Sequence, residues 1–311
     1  MRSYVLSILE PDKVNLSAWI APVFPDPEQV EAELRRVVLP YVRWEPAEEA
    51  QAGDLAVCRT ESELPRFQKN RLKLLIGSGM FHSELEQAVI GMTPGNCRAV
   101  ALPEGEVLIT LLELSRQKTP EPDDEMIHRL GLDGIDTVEA YRAYLFGKLR
   151  RDKAAELLPE PLSRLIREVI GGSEFVLCRE DWESVVRMRI ERSRILFRQE
   201  GIDMERAKPE DFRGRIPVQS YYELLALEQS EAWQNLCLYL LGLHWAGIDG
   251  YVPEKTQYEE DIKSYCKTWH ASEENAREAN TWEAFVFSEY VAHAVNRLKK
   301  TVMEQLLRED G

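Results

Sequence analysis

A chain of 311 residues suggests about two domains at roughly 150 residues each. Its 54 acidic and 39 basic side chains leave a net charge of −15, which argues against docking on a nucleic-acid backbone or an anionic membrane. Apolar residues make up 44%, enough for a real core, so wholesale disorder is excluded.

The pattern along the chain starts with two extended stretches, 4–9 and 14–20, ended by Pro22, Pro25 and Pro27. Asp26 reads as an N-cap with Pro27 at the first helical position, and Val30, Leu34, Val37 and Val38 predict a helix from 27 to about 39, ended by Pro40. Residues 45–52 are acidic and Ala-rich and read as a linker. Four strand-like runs come next, at 55–59, 72–76, 98–102 and 106–114, with one short helix at 83–90 stopped by Gly91 and Pro94. After Pro120 the periodicity turns helical. Helices are expected near 137–155, 159–170, 179–200, 217–247, 254–269 and 279–308, separated by Gly and Pro breakers. The longest apolar stretch, 236–248, falls short of the ~18–20 residues of a membrane span and reads as a buried helix.

Familiar catalytic motifs are absent: no G-x-S-x-G, no phosphate-loop lysine, no G-x-G-x-x-G and no H-E-x-x-H. The five histidines, His82, His128, His244, His270 and His293, lack metal-ligand spacing, so neither a metal nor a cofactor is expected. Cys58, Cys97, Cys178, Cys237 and Cys266 are dispersed without a C-x-x-C pair, which supports no disulfide framework and fits a reducing cytoplasm. Asp123-Asp124-Glu125 reads as helix capping and dipole compensation.

One constellation carries more. The run from Leu74 to Arg98 (LLIGSGMFHSELEQAVIGMTPGNCR) resembles the core signature of FKBP-type prolyl isomerases: strand, G-x-G, short helix, G-[FW]-E, then G-M-x-x-G. Gly53-Asp54 matches the G-D before that family's first long strand. The segment from Pro120 through Val138-Glu-Ala-Tyr-Arg looks like the stretch C-terminal to the isomerase module in trigger factor. The helical remainder is similar to trigger factor's chaperone arms, so the chain resembles that family without its N-terminal ribosome-binding domain. The resemblance implies an α+β protein: an N-terminal extended segment and linker helix over 1–49, a flap-deleted FKBP-like module with a small antiparallel sheet over 50–117, and a larger all-α domain over 118–311.

The resemblance places a degenerate prolyl pocket at Phe81, His82 and Leu85. Phe81 stands where the family has Val or Met, His82 where it has Ile, and Leu85 where it has an aromatic floor. Only Pro103-Glu-Gly105 joins two strands where active members carry a long flap, so isomerase activity is expected to be weak or absent. The aromatics of the helical region, Trp182, Trp233, Trp245, Trp269 and Trp282, are the candidate client-binding residues of a cradle. The implied function is a cytoplasmic, trigger-factor-like chaperone that binds unfolded or partly folded polypeptides and needs no cofactor. Nucleic acid, membrane and ribosome docking are not expected. Two other readings are an active prolyl isomerase of the same architecture and an adaptor with one dedicated partner.

Overall fold

Alternating apolar residues and helical stripes sort into two units. This computed structural model describes residues 1–198, 201–213 and 216–309, the side chains of Leu196 and Trp269 excepted. One unit is Pro25–Leu149; the other joins Met1–Phe24 to Arg150–Gly311. The fold is α+β, as the sequence pattern predicts.

In the first unit, α1 (Pro27–Arg35) starts where expected, because the Asp26 carboxylate accepts the Glu28 N–H at 2.9 Å and Pro27 needs no donor. It stops at Arg35 rather than near 39. Residues 36–41 tighten into a 3₁₀ turn because Pro40 offers no N–H and its ring crowds the preceding turn. The stretch 45–52, read as a linker, is built into the sheet instead. Strand β2 (Arg43–Pro46) pairs with the end of a later strand, and Ala50 is a core residue.

The sheet is antiparallel: β3 (Leu55–Glu61), β4 (Lys69–Leu75), β5 (Cys97–Leu102) and β6 (Gly105–Lys118) join β2. Strand β6 is its spine. β3 lies along one edge, and β5 and then β2 succeed each other along the other. Val107, Ile109 and Leu111 point inward at period two. The register then slips between Val57 and Cys58, and Leu114 becomes the next buried residue, the signature of a β-bulge. Helix α2 (Ser83–Val89) lays Leu85 and Val89 on this face. A separate cluster packs Val30, Leu34 and Val37 against Ile127 of α3 (Asp124–His128) and Leu145 of the long α4 (Val138–Leu157).

The second unit is helical: α5 (Pro159–Gly172), α6 (Arg179–Arg198), α7 (Pro209–Phe212), α8 (Tyr221–Asp249), α9 (Lys255–Trp269), α10 (Glu273–Ala279) and α11 (Trp282–Leu306). One expected helix, 279–308, is interrupted near its start: the Thr281 hydroxyl accepts the Ala284 N–H and begins α11 afresh. Segment 14–20 is not a strand. Residues 16–18 form a 3₁₀ turn that buries Leu16 beside Ile20 against α5, α8 and α11. Strand β1 (Tyr4–Ser7) pairs instead with β7 (Glu174–Val176), a strand short enough to escape a periodicity reading.

Helices α8 and α11 meet at Gly242, where a Cβ would lie 1.8 Å from the Tyr290 carbonyl oxygen. Gly247, on the same helix, has open space at that position. Gly242→Ala is therefore expected to cost about 2 kcal/mol or more, although alanine gains about 1 kcal/mol in helix propensity. Gly247→Ala is expected to stabilise by about 0.5–1 kcal/mol. Denaturant melts of the two variants read this difference, and equal shifts would contradict the close crossing.

Candidate functional site

The loop before α2 is held by a buried carboxylate. Glu86 accepts the Gly79 N–H at 2.7 Å and the Phe81 N–H at 3.1 Å. Burial pushes its pKa up, but these donors and the N–H groups of Gly77 and Ser78 outweigh that and hold it below the usual carboxylate range. Gly77 and Gly79 sit at φ +83° and +69°, conformations that let successive amides turn toward one oxygen pair. A second carboxylate does similar work at the start of β3. Asp54 takes two 2.8 Å bonds from the Arg116 guanidinium and one of 2.9 Å from the Gln51 N–H. The Arg116 contact lowers its pKa. Sequence reasoning did not assign Glu86 a role; its position as the glutamate of the G-[FW]-E pattern was the available signal.

Phe81, His82 and Leu85 come together around Phe67. The Phe67 ring, 5% exposed, meets Phe81 edge-on at 6.3 Å and His82 edge-on at 5.8 Å. Leu85 is wholly buried with Phe67, Leu102 and Val107. The Arg66 guanidinium lies 4.6 Å above the Phe67 ring. Arg66 also pairs at 2.7 Å with Glu104, in the turn between β5 and β6. That turn is tighter than expected, because Gly105 already pairs with Leu102. What stays accessible is Met80 and Phe81, and the Nδ1 atom of His82 is buried with no hydrogen-bond partner.

The candidate tryptophans separate by burial. Trp245 is fully buried in the helical core, donates its indole N–H to Glu10 at 3.2 Å and lies under the Arg297 guanidinium. It therefore cannot line an open surface, and its place on the apolar stripe of α8 is the reason. Trp182 is half-buried and donates to the Gln229 carbonyl at 3.3 Å, tying α6 to α8. Trp282 stacks on Phe285 and meets Tyr258 edge-on. Trp233 is 49% exposed. The Trp269 side chain lies outside the described residues.

A cleft of about 410 Å³ opens among α6, α8, the turn at Asn280 and α11. Met188, Val291 and Val295 give it apolar walls, while Arg192, Asn235 and Asn296 give it polar ones. A second hollow of about 360 Å³ lies next to it and shares Met188, Ala279 and Ala284 with it. The lining of the cleft offers apolar area beside amide groups, the chemistry needed to meet side chains and exposed backbone together. Cys58 and Cys237 are buried, with pKa values pushed up to about 11 and about 12, so neither is a reactive thiol.

No family model matches the chain. Its sequence is similar to trigger factors: 24% identical over 147 residues to that of Mesoplasma florum, covering 44% of this chain and 34% of that protein. With the trigger factor of Mycolicibacterium smegmatis it shares 24% over 182 residues, 54% of this chain and 38% of that one. With that of a Polaromonas species it shares 28% over 183 residues, 52% and 42%. The chain thus spans between a third and a half of the length of these curated relatives. A solved structure of the trigger factor chaperone, described for promiscuous substrate recognition in folding and assembly, aligns with 99% of this chain and 79% of that chain at 15% identity and a TM-score of 0.38.

Because the folded-state pKa of Glu86 lies below its ordinary value of about 4.3, its contribution to stability is complete above that pH and is lost as pH falls through the lowered value. Glu86→Gln is expected to cost about 1–3 kcal/mol at neutral pH and to flatten the acid limb of the stability profile. Melts from pH 7 to about pH 3 measure both effects. An unchanged acid limb would show that the carboxylate does not hold the loop.

Proposed function

We propose that this trigger-factor-like chain binds unfolded or partly folded polypeptide as a holdase-type chaperone, without a nucleotide or other cofactor. The observation that carries the reading is the groove along α6, α8 and α11, open and lined by both apolar and amide groups. Non-native chain presents apolar side chains and unpaired backbone together. Apolar area buried on such a surface contributes roughly 25 cal/mol per Å², and amides accept or donate without demanding one sequence. The similarity to trigger factors supports the same class of activity. Exposed Trp233, with Met80 and Phe81 in the sheet unit, adds further apolar contact area. A net charge of −15 keeps copies of such a protein apart. All five cysteines are free, which supports a reducing compartment such as the cytoplasm.

In this reading residues 50–117 are an FKBP-like module with a degenerate prolyl pocket. Rotation about a prolyl amide has a barrier of ~18–20 kcal/mol. An apolar, water-excluding slot lowers it by favouring the twisted imide, whose charge separation is reduced. Here Phe67 occupies the slot and the two-residue turn at Pro103-Glu104 provides no lid. The module then serves as a scaffold that presents the loop at Met80 and Phe81.

A second reading, an active prolyl isomerase, is favoured by one observation: the buried Nδ1 of His82, whose ring meets Phe67 edge-on, has no hydrogen-bond partner and would gain one if the loop opened to a peptide. A proline-limited refolding reaction, tracked by slow-phase rate and light scattering, separates the two. Near-equimolar protein is expected to suppress scattering, and catalytic amounts to leave the slow phase unchanged. An accelerated slow phase at catalytic amounts would overturn the degenerate pocket, and no response in either signal would overturn the chaperone reading.

A further inference from the structure

Met80 is 86% exposed, an apolar side chain standing almost entirely in water. The backbone fixes it there. The Gly79 and Phe81 N–H groups on either side both donate to the buried Glu86 carboxylate, and the Met80 N–H donates to the Ser78 hydroxyl at 3.3 Å. The other methionines are better covered. Met92 and Met204 are 1% exposed, and Met126, Met188 and Met303 are half-buried. Met1, at the terminus, is 61% exposed. The chain thus holds one internal thioether out in solvent, in the loop proposed above to add apolar contact area for non-native chain.

We propose that Met80 is a reversible oxidation site: hydroperoxides convert its thioether to the sulfoxide, and this weakens the hold on non-native polypeptide. The inference rests on the chaperone reading and adds a control on it. A sulfur lone pair attacks one oxygen of the peroxide, so an S–O bond forms as the O–O bond breaks. The hydroperoxide proton passes to the departing oxygen, which leaves as an alcohol or as water. Sulfur gives up two electrons and the peroxide takes them. Methionine sulfoxide reductases reverse the change: two thiols become a disulfide and the oxygen leaves as water. Susceptibility follows exposure, which singles out Met80 over the core methionines. An unbranched, polarisable thioether adapts to whatever apolar or aromatic group it meets. The sulfoxide is polar and keeps its water. At 86% exposure little of the fold packs on Met80, so oxidation there removes a contact surface and leaves the core intact. Cys97 is exposed too. Its disulfide or sulfenic products are told apart because dithiothreitol reduces them and leaves the sulfoxide.

The test treats the full chain with tert-butyl hydroperoxide, removes the oxidant, restores thiols with dithiothreitol and maps sulfoxides by tandem mass spectrometry. Met80 is expected to oxidise about 5-fold or more faster than Met126, Met188 and Met303. Binding of labelled, reduced and carboxymethylated lactalbumin, a permanently unfolded probe, is then read by fluorescence anisotropy. Oxidation is expected to weaken it about 2–5-fold, with the thermal melt unchanged, and reductases for both sulfoxide epimers are expected to restore it. In Met80→Leu, whatever its own affinity, the treated and untreated chains are expected to bind alike. Met80 oxidising no faster than the half-buried methionines would overturn the proposal, as would a loss of affinity that persists in Met80→Leu. If the untreated chain binds the probe and oxidation leaves that binding unchanged, only this proposal falls. If the untreated chain does not bind the probe, the chaperone reading falls and this proposal with it.

Discussion

The helical unit depends on how closely α8 and α11 cross. At Gly242 the absence of a side chain lets the α8 backbone approach the Tyr290 carbonyl, a distance any Cβ would forbid. Between them those two helices reach all three of the unit's core clusters. Leu241 and Trp245 meet Ala294 and Leu298 in one cluster, and Leu224 and Leu236 meet Phe287 in the next. Phe285 carries α11 on into a third, with Tyr258 and Ile262. A wider crossing would open all of these together, since interiors tolerate little loss of packing density. It would also move the wall of the groove, because Val291 and Val295 lie within two turns of the contact.

The sheet unit is organised by a different device. Two carboxylates with almost no solvent contact, Asp54 and Glu86, each collect several donors and hold loops that have no regular secondary structure. Burying a charge is expensive unless it is fully bonded; here it is bonded, and the result is a loop of defined shape that displays Met80 and Phe81. Beside that loop Phe67 packs with Leu85, Leu102 and Val107 under the Arg66 guanidinium, and Arg66 is clasped in turn to Glu104.

Taken together, the two units suggest a division of labour. The helical unit offers apolar area and amide groups in its cleft; the sheet unit offers an exposed apolar loop. Neither needs a general acid, a general base or a nucleotide to hold non-native chain, which fits a sequence in which every familiar catalytic motif is missing. Binding of this sort is loose by construction. It would rest on many small apolar contacts, each dispersion contact worth only about 0.1–0.2 kcal/mol.

The α+β class, the order of the main strands and helices, and the short turn at Pro103 are all readable from the chain alone. Period-two and period-3.6 patterns and the Gly and Pro breakers are local signals that need no knowledge of neighbours. The capping residue Asp26 is legible for the same reason, whereas the caps at Ser220 and Thr281 are passed over by helices expected to start earlier. Tertiary structure decided what the patterns leave open. Residues 43–46 became a strand because the long β6 had an unpaired edge to fill, and 4–7 became one because 174–176 lay beside it. Trp245 falls in the apolar stretch 236–248 and Trp233 in a polar stretch of the same helix, but what covers Trp245, the N-terminal segment and α11, comes only with the tertiary structure. The same holds for charge. Composition shows an acidic protein, but which arginines remain without partners depends on where folding places each glutamate, and no spacing along the chain records that.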